Sequence, residues 1–236
     1  MIVRPVGEAL QLVTQPDHAH LSRHIVEHCA ALRDRPRREL ILLATGEHDN
    51  GWIEEDAAPS VHAENGAVVD FVSAPLAVRH RVWPRATARL AAEPWAAALV
   101  AQHAITVYDR FRAEPAWAAF FALMEQARDA MLAESGLSYA ELANDYVFVR
   151  LGDLISLLFC TGGAFDVHRF GDWSVHWLDT RVVVTPDPFD GRVIPIRIDA
   201  KMIPGRRYRS DDDLRDEWQR ATTTTLSGEV AGSARN

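Results

Sequence analysis

The stretch LLATGEHDNGWIEEDAAP, Leu42 to Pro59, poses the question on which the fold turns. It begins as an apolar run of the kind that packs a helix into a core, then passes through Glu47-His48-Asp49-Asn50-Gly51-Trp52. A helix that only has to pack needs no histidine beside an aspartate at its last turn. Gly51, just past that turn, fits a helix stop, and Trp52 fits an apolar anchor. His48 and Asp49 remain to be explained, and the reading that explains them is that they are ligands.

Helical spacing extends on both sides of this stretch. Upstream, Thr14 stands where an N-cap would, with Pro16 in the first turn and Asp17 at the third helical position. Leu21, Ile25, Cys29 and Leu32 then follow at intervals of four, four and three. The quoted run itself predicts a helix from about Arg37 to His48. Further helices are expected over Pro94–Phe111, Pro115–Glu134 and Ser138–Cys160. The last opens on a capping box, Ser138-x-x-Glu141, and stops at Gly162-Gly163. Residues 53–89 show no sustained period and hold prolines at 59, 75 and 84, so they read as an irregular, lid-like segment or one hiding short helices.

The two ends of the chain read as strands. MIVRPV and LQLVT, broken at Gly7-Glu8, predict a hairpin. After residue 170, WSVHWL, TRVVVTP, RVIPIRID and ATTTTLSGEV are rich in β-branched and aromatic residues, while DDDLRDEW (Asp211–Trp218) suits a turn or a short helix. The expected fold is mainly α: a core of about five helices over 14–163, with a small antiparallel β-sheet from 1–13 and 173–230, all in a single domain 1–236.

Composition narrows the partners. A net charge of −8 argues against a nucleic-acid binder, which needs a basic face. The arginine runs Arg33–Glu39 and Pro204–Arg209 read as solvated faces. Cys29 and Cys160 sit in apolar helical context and are expected to be buried, reduced thiols, too few for a disulfide framework or a cysteine zinc site. No secretory leader pattern and no membrane-length apolar run are present, so a soluble cytoplasmic protein without membrane partners is expected.

Five polar residues interrupt the apolar helices: His18 in a first turn, His48 and Asp49 at a helix end, His103 in LVAQHAITV and Asp153 in VFVRLGDLISLLFC. Each alone has an ordinary reading. His103 would be a core histidine, Asp153 a partner of Arg150, and His48-Asp49 a polar helix end. Together they supply imidazole nitrogens and carboxylate oxygens from separate helices, the ligand mix of a first-row divalent ion such as Mn, Fe, Zn, Ni or Co. A carboxylate facing a core also needs a cation or strong donors, because an unpaired one costs several kcal/mol.

The order His…His-Asp…Asp on successive helices resembles the HD-domain superfamily of metal-dependent hydrolases. The wording HDNGW and DHAHLS is also similar to an uncharacterised bacterial family with an HDxGW motif, over most of the chain, with no activity attached. The resemblance implies that His18, His48, Asp49 and Asp153 bind one divalent ion. His20 or His24 is an alternative first ligand; otherwise His20, His24 and His28 form a solvated or supporting face. Two-metal members place two further histidines in the interval that here holds His62, His80 and His103, so one or two ions per chain are expected. The implied activity is hydrolysis of a phosphate ester or nucleotide-like small molecule. Asp49 would bind the ion and orient water, and His103 would be a second ligand or general acid. Arg79, Arg81 or Arg85 would hold the phosphate. Two other readings keep the residues: a di-iron oxygenase, and a non-catalytic metal-binding interaction module. In the latter, Trp173, Trp177 and Trp218 would form a partner or homo-oligomer surface instead of packing the sheet on the helices.

Overall fold

The computed structural model describes residues 1–163, 168–178 and 181–234. The chain opens with the hairpin β1 (Ile2–Val6) and β2 (Ala9–Val13) and runs straight into α1 (Gln15–Val26). Thr14 caps α1 by accepting the Asp17 backbone N–H at 3.1 Å. There follow α2 (Arg38–Glu47), α3 (Ile53–Ala57), α4 (Leu76–Arg89), α5 (Pro94–Tyr108), α6 (Ala118–Ser135) and α7 (Tyr139–Thr161). The expected Ser138–Glu141 capping box opens α7, and Gly162, in the left-handed region, ends it. The rest is β3 (His168–Phe170), β4 (Trp173–Leu178), β5 (Arg181–Thr185), β6 (Val193–Pro204), α8 (Asp211–Arg220) and β7 (Thr222–Gly232).

The expectation of a mainly α fold with a small antiparallel sheet is overturned. All seven strands join one curled sheet in the order β1-β2-β6-β7-β5-β4-β3, and it is mixed because β5 and β7 run parallel. Strands hold 21% of the residues against 52% in helix, so the sheet is a full layer of the fold. The physical reason lies in β6 and β7. The alternation of RVIPIRID continues to Ala200, and the strand runs on through Lys201, Met202 and Ile203, giving 12 residues in which Ile194, Ile196, Ile198 and Ala200 face the main cluster and Ile203 the smaller one. That length lets β6 hold β7 along Val193–Met202 and still reach the amino-terminal hairpin, with Ala9–Leu12 against Lys201–Pro204.

The irregular reading of 53–89 is corrected in part: α3 and α4 lie inside it. The helical period of α4 is masked by its charged residues and by Pro84. Its inner face is nevertheless apolar, with Val82, Trp83 and Ala86 buried. DDDLRDEW proves to be the helix α8.

The helix layer is centred on α7, which packs against α1, α2, α5 and strands of the sheet. One apolar cluster runs through these helices and the sheet face. Two glycines permit close approaches around the helices. Gly152 of α7 faces α1 and α2, where an added Cβ would meet Val26 Cγ2 at 2.6 Å and the Ser22 carbonyl at 3.0 Å. At Gly51 an added Cβ would collide with the Val82 carbonyl of α4. Gly51 is therefore a contact residue, while α2 ends at His48 in right-handed backbone. Trp173 and Trp177 are half-buried against the main cluster, and Trp218 packs on a smaller one with Lys201 Nζ over its ring at 4.4 Å. The tryptophans thus pack the sheet on the rest of the fold. Both cysteines are buried and unpaired, Cys29 in the turn after α1, and burial pushes each thiol up to about 12. Among the described residues, no helix is long and apolar enough to cross a membrane.

Candidate metal centre

Four helical elements converge on one buried polar spot. His18 comes from the first turn of α1, and His48 and Asp49 from the end of α2. His103 comes from the middle of α5 and Asp153 from the middle of α7. All five are buried, at 5% exposure or less, although an apolar core surrounds them.

Bonds behind the rings decide which nitrogen faces inward. The His48 Nδ1–H donates to the Thr45 carbonyl at 2.7 Å, since a carbonyl can only accept. The Ser156 hydroxyl donates to the His18 carbonyl at 2.9 Å, so its oxygen accepts from His18 Nδ1–H at 2.8 Å. In both residues the neutral ring therefore turns an Nε2 lone pair inward. His103 follows the same plan, with Nδ1 against the Tyr146 hydroxyl at 3.1 Å.

What those lone pairs meet is two carboxylates. His18 Nε2 lies 3.2 Å from Asp153 Oδ1 and 3.8 Å from Asp49 Oδ2. His48 Nε2 lies 3.3 Å from Asp49 Oδ2 and 3.7 Å from Asp153 Oδ1, and it is buried without a hydrogen-bond partner. Four electron-rich atoms facing one another in a dry core repel unless a positive charge sits among them. Ligands about 2.1 Å from one ion stand roughly 3.0–3.4 Å apart, close to these separations. The residues present fit a divalent cation.

The protonation pattern expresses the same demand. Burial alone would lower the His48 pKa, but the Asp49 and Asp153 carboxylates outweigh it and push it up to about 10. Against burial, Asp49 is held below the usual carboxylate range by His48, and Asp153 well below it by His18, His48 and Arg150. His103 is the exception: burial pushes it down to about 3, which keeps it neutral. Its Nε2 stands 3.8 Å from Asp153 Oδ2, the oxygen that Arg150 already bonds.

The other candidates fall elsewhere. His20 points outward toward Glu47, and His24 lies at the surface against Glu27 and β6. His62 is bonded to Ser73, and His80 is stacked on Phe120. Arg81 makes a two-pronged pair with Glu55 at 2.9 and 2.7 Å, and Arg85 is held by Gly51, Glu54 and Glu55. Only Arg79 of those three reaches the cavity beside the His/Asp cluster. That cavity, about 370 Å³, also takes Arg110 and Arg150 and is walled by Trp52, Trp83 and Tyr108.

Sequence reasoning missed Thr45, Ser156 and Tyr146, which orient the three imidazoles. Tyr146, Asp153 and Ser156 are spaced along α7 so as to share a face, and that spacing was the available signal.

No curated protein and no solved structure matches the chain. A family model described as "Protein of unknown function (DUF3891)" matches residues 1–205, and that match does not assign the chain to the HD-domain superfamily. Because the match covers most of its length, the chain belongs to the DUF3891 family of proteins of unknown function.

Proposed function

We propose that the protein is a divalent-metal-dependent hydrolase of a small, phosphorylated molecule. His18, His48, Asp49 and Asp153 would hold one Mn, Fe, Zn, Ni or Co ion. The observation that carries this reading is the pair of inward-facing Nε2 atoms set against two buried carboxylates. The order of the same four residues along the chain, which resembles that of HD-domain hydrolases, agrees with it. When bound, such an ion supplies Lewis acidity toward a phosphoryl oxygen and toward water.

The chain's own groups do the rest. Thr45 and Ser156 fix the two imidazoles, as partners of metal-binding histidines do. Arg79, Arg110 and Arg150 line the adjoining cavity and suit an anionic group, by charge-assisted bonds. Trp52, Trp83 and Tyr108 give the substrate an apolar wall that also excludes water. His103, neutral at physiological pH, suits an additional ligand and not the general-acid role.

The arrangement favours one ion over two. The two interior ligand groups, His18-His48-Asp49 and His48-His103-Asp153, share His48, and one imidazole nitrogen binds one ion. A second ion would keep only His103 Nε2 and an Asp153 oxygen already engaged by Arg150. Hydrolysis at a single ion is therefore preferred to di-iron oxygen chemistry.

The test combines metal content by mass spectrometry with hydrolysis of p-nitrophenyl phosphate and a nucleotide panel. It uses wild type, Asp49→Ala, Asp153→Ala and Arg79→Ala. Expected are one interior ion in the wild type, lost with activity in both aspartate variants, and a raised KM with unchanged metal in Arg79→Ala. Full activity in Asp49→Ala would refute the hydrolase reading.

A further inference from the structure

A second group of ligand atoms lies outside the interior cluster, on the outer face where α1 ends. We infer that His24, Glu27 and His28 form a surface site for a borderline divalent ion of the Zn2+, Ni2+ or Co2+ type.

The local backbone brings them together. Glu27 keeps right-handed helical angles past the end of α1, and the His28 N–H bonds to the Ile25 carbonyl at 3.2 Å. Positions i, i+3 and i+4 then share one face. His24 Nε2 is 3.1 Å from the Pro195 carbonyl of β6, and a carbonyl only accepts, so Nε2 carries the proton. This leaves the His24 Nδ1 lone pair directed at Glu27 Oε1, 3.2 Å away. His28 Nε2 stands 3.7 Å from the same oxygen, and all three ligand atoms lie within 4.8 Å of one another. The two rings meet edge to face at 5.2 Å.

One proton on His24 would satisfy a single edge of this triangle. A cation at its centre would satisfy all three, and the 3.2 and 3.7 Å edges bracket the roughly 3.4 Å expected between tetrahedral ligands. The hydrogen bond from His24 to the Pro195 carbonyl is the kind of outer contact that orients a ligating imidazole. Arg192 is the nearby cation that would oppose binding. Its guanidinium is already turned to the His28 and Phe189 carbonyls, at 2.7 and 3.1 Å. The side chains are about one third to two fifths exposed, which leaves one side open to water or another small ligand. Two nitrogens and one oxygen select a borderline ion over Mg2+ or Ca2+. An ion here would fasten the end of α1 to β6.

The experiment is equilibrium dialysis of the full chain against low-micromolar free Zn2+, with ions per chain counted by mass spectrometry and Tm measured in parallel. Wild type, the double variant His24→Ala/His28→Ala, and Asp153→Ala are compared. The double variant is expected to bind one Zn2+ fewer than wild type and to lose part of the Zn2+-dependent rise in Tm. Asp153→Ala is expected to retain the surface ion. Equal Zn2+ counts in wild type and double variant would overturn the inference and leave only an exposed His24–Glu27 ion pair. The double substitution is at the surface, so this comparison holds even if Asp153→Ala does not fold. A loss confined to Asp153→Ala would likewise overturn the inference, because the double variant would then match wild type.

Discussion

The interior cluster makes a quantitative prediction about protons. In the metal-free protein the positive charge among Asp49, Asp153 and the imidazoles is a proton on His48, whose pKa is pushed up to about 10. Asp49 and Asp153 are already ionised at neutral pH, and His103 is already neutral. Binding an ion at His48 Nε2 must therefore expel that proton, because the same lone pair cannot hold both. Far below the His48 pKa, such exchange weakens apparent affinity about tenfold, or ~1.4 kcal/mol, for each unit the pH falls. Between pH 8 and pH 6 the expected loss is roughly 100-fold. Isothermal titration with Mn2+ in two buffers of different ionisation enthalpy would read both quantities, affinity and protons released. Close to one proton per ion is expected from this residue. An affinity that does not change between pH 6 and pH 8, with no proton released, would refute the assignment of His48 as the residue that binds both cations.

The same proton governs the metal-free fold, and here the sign is opposite to that of a buried carboxylate. A folded-state pKa of about 10 against 6.5 unfolded stabilises the protein fully below 6.5, and the contribution fades as pH rises toward 10. Urea unfolding of chelator-treated protein should thus show a lower midpoint at pH 9.5 than at pH 7, and a higher one would count against it. Gly152→Ala would drive a Cβ into Val26 and the Ser22 carbonyl, with an expected loss of about 1–3 kcal/mol and weaker metal binding as α1 and α7 separate; an unchanged Tm would show that the contact relaxes freely. Asp145→Ala removes the buried acceptor of Arg37 Nε, at 2.7 Å, and of Trp95 Nε1, at 3.2 Å. Trp95 Nε1 would be unpaired and Arg37 left with Glu141, which should destabilise by about 1–3 kcal/mol in chemical denaturation, and no measurable change would mean that water replaces the carboxylate.

Much of the helix layer was legible because its signals are local. Thr14, the Ser138–Glu141 box and Gly162 mark ends that depend on a few neighbouring residues, and the apolar spacing of α5 and α7 is long enough to stand out. The five residues that the fold brings together were legible for a related reason: a histidine or carboxylate inside an apolar period is conspicuous. The sheet was underestimated because strand pairing is decided at a distance. Nothing within RVIPIRID says that it will continue to Pro204, or that β7 will run parallel to β5. α4 was hidden by composition, since five basic residues and Pro84 obscure a period carried by Val82, Trp83 and Ala86. The orienting residues were hidden for another reason. Thr45 acts through its backbone carbonyl, which no side-chain pattern reports, and Ser156 is an ordinary helix residue until His18 is placed beside it.

The sheet also explains why the site depends on chain that the family match does not reach. His18 and Asp153 sit on α1 and α7, and both helices rest on the sheet, α1 against β6 and α7 against β1, β4 and β5. Their spacing, which brings His18 Nε2 to 3.2 Å from Asp153 Oδ1, is set by the direct packing of α1 on α7 at Gly152 and is supported from below by β6 on one side and β4 and β5 on the other. β6 pairs with neither β4 nor β5. β7 lies between them, antiparallel to β6 over Val193–Met202 and parallel to β5 over Arg181–Val184. The matched segment ends at residue 205, and β7 begins at Thr222. A segment that contributes none of the five clustered residues therefore joins the two halves of the platform on which those residues are held.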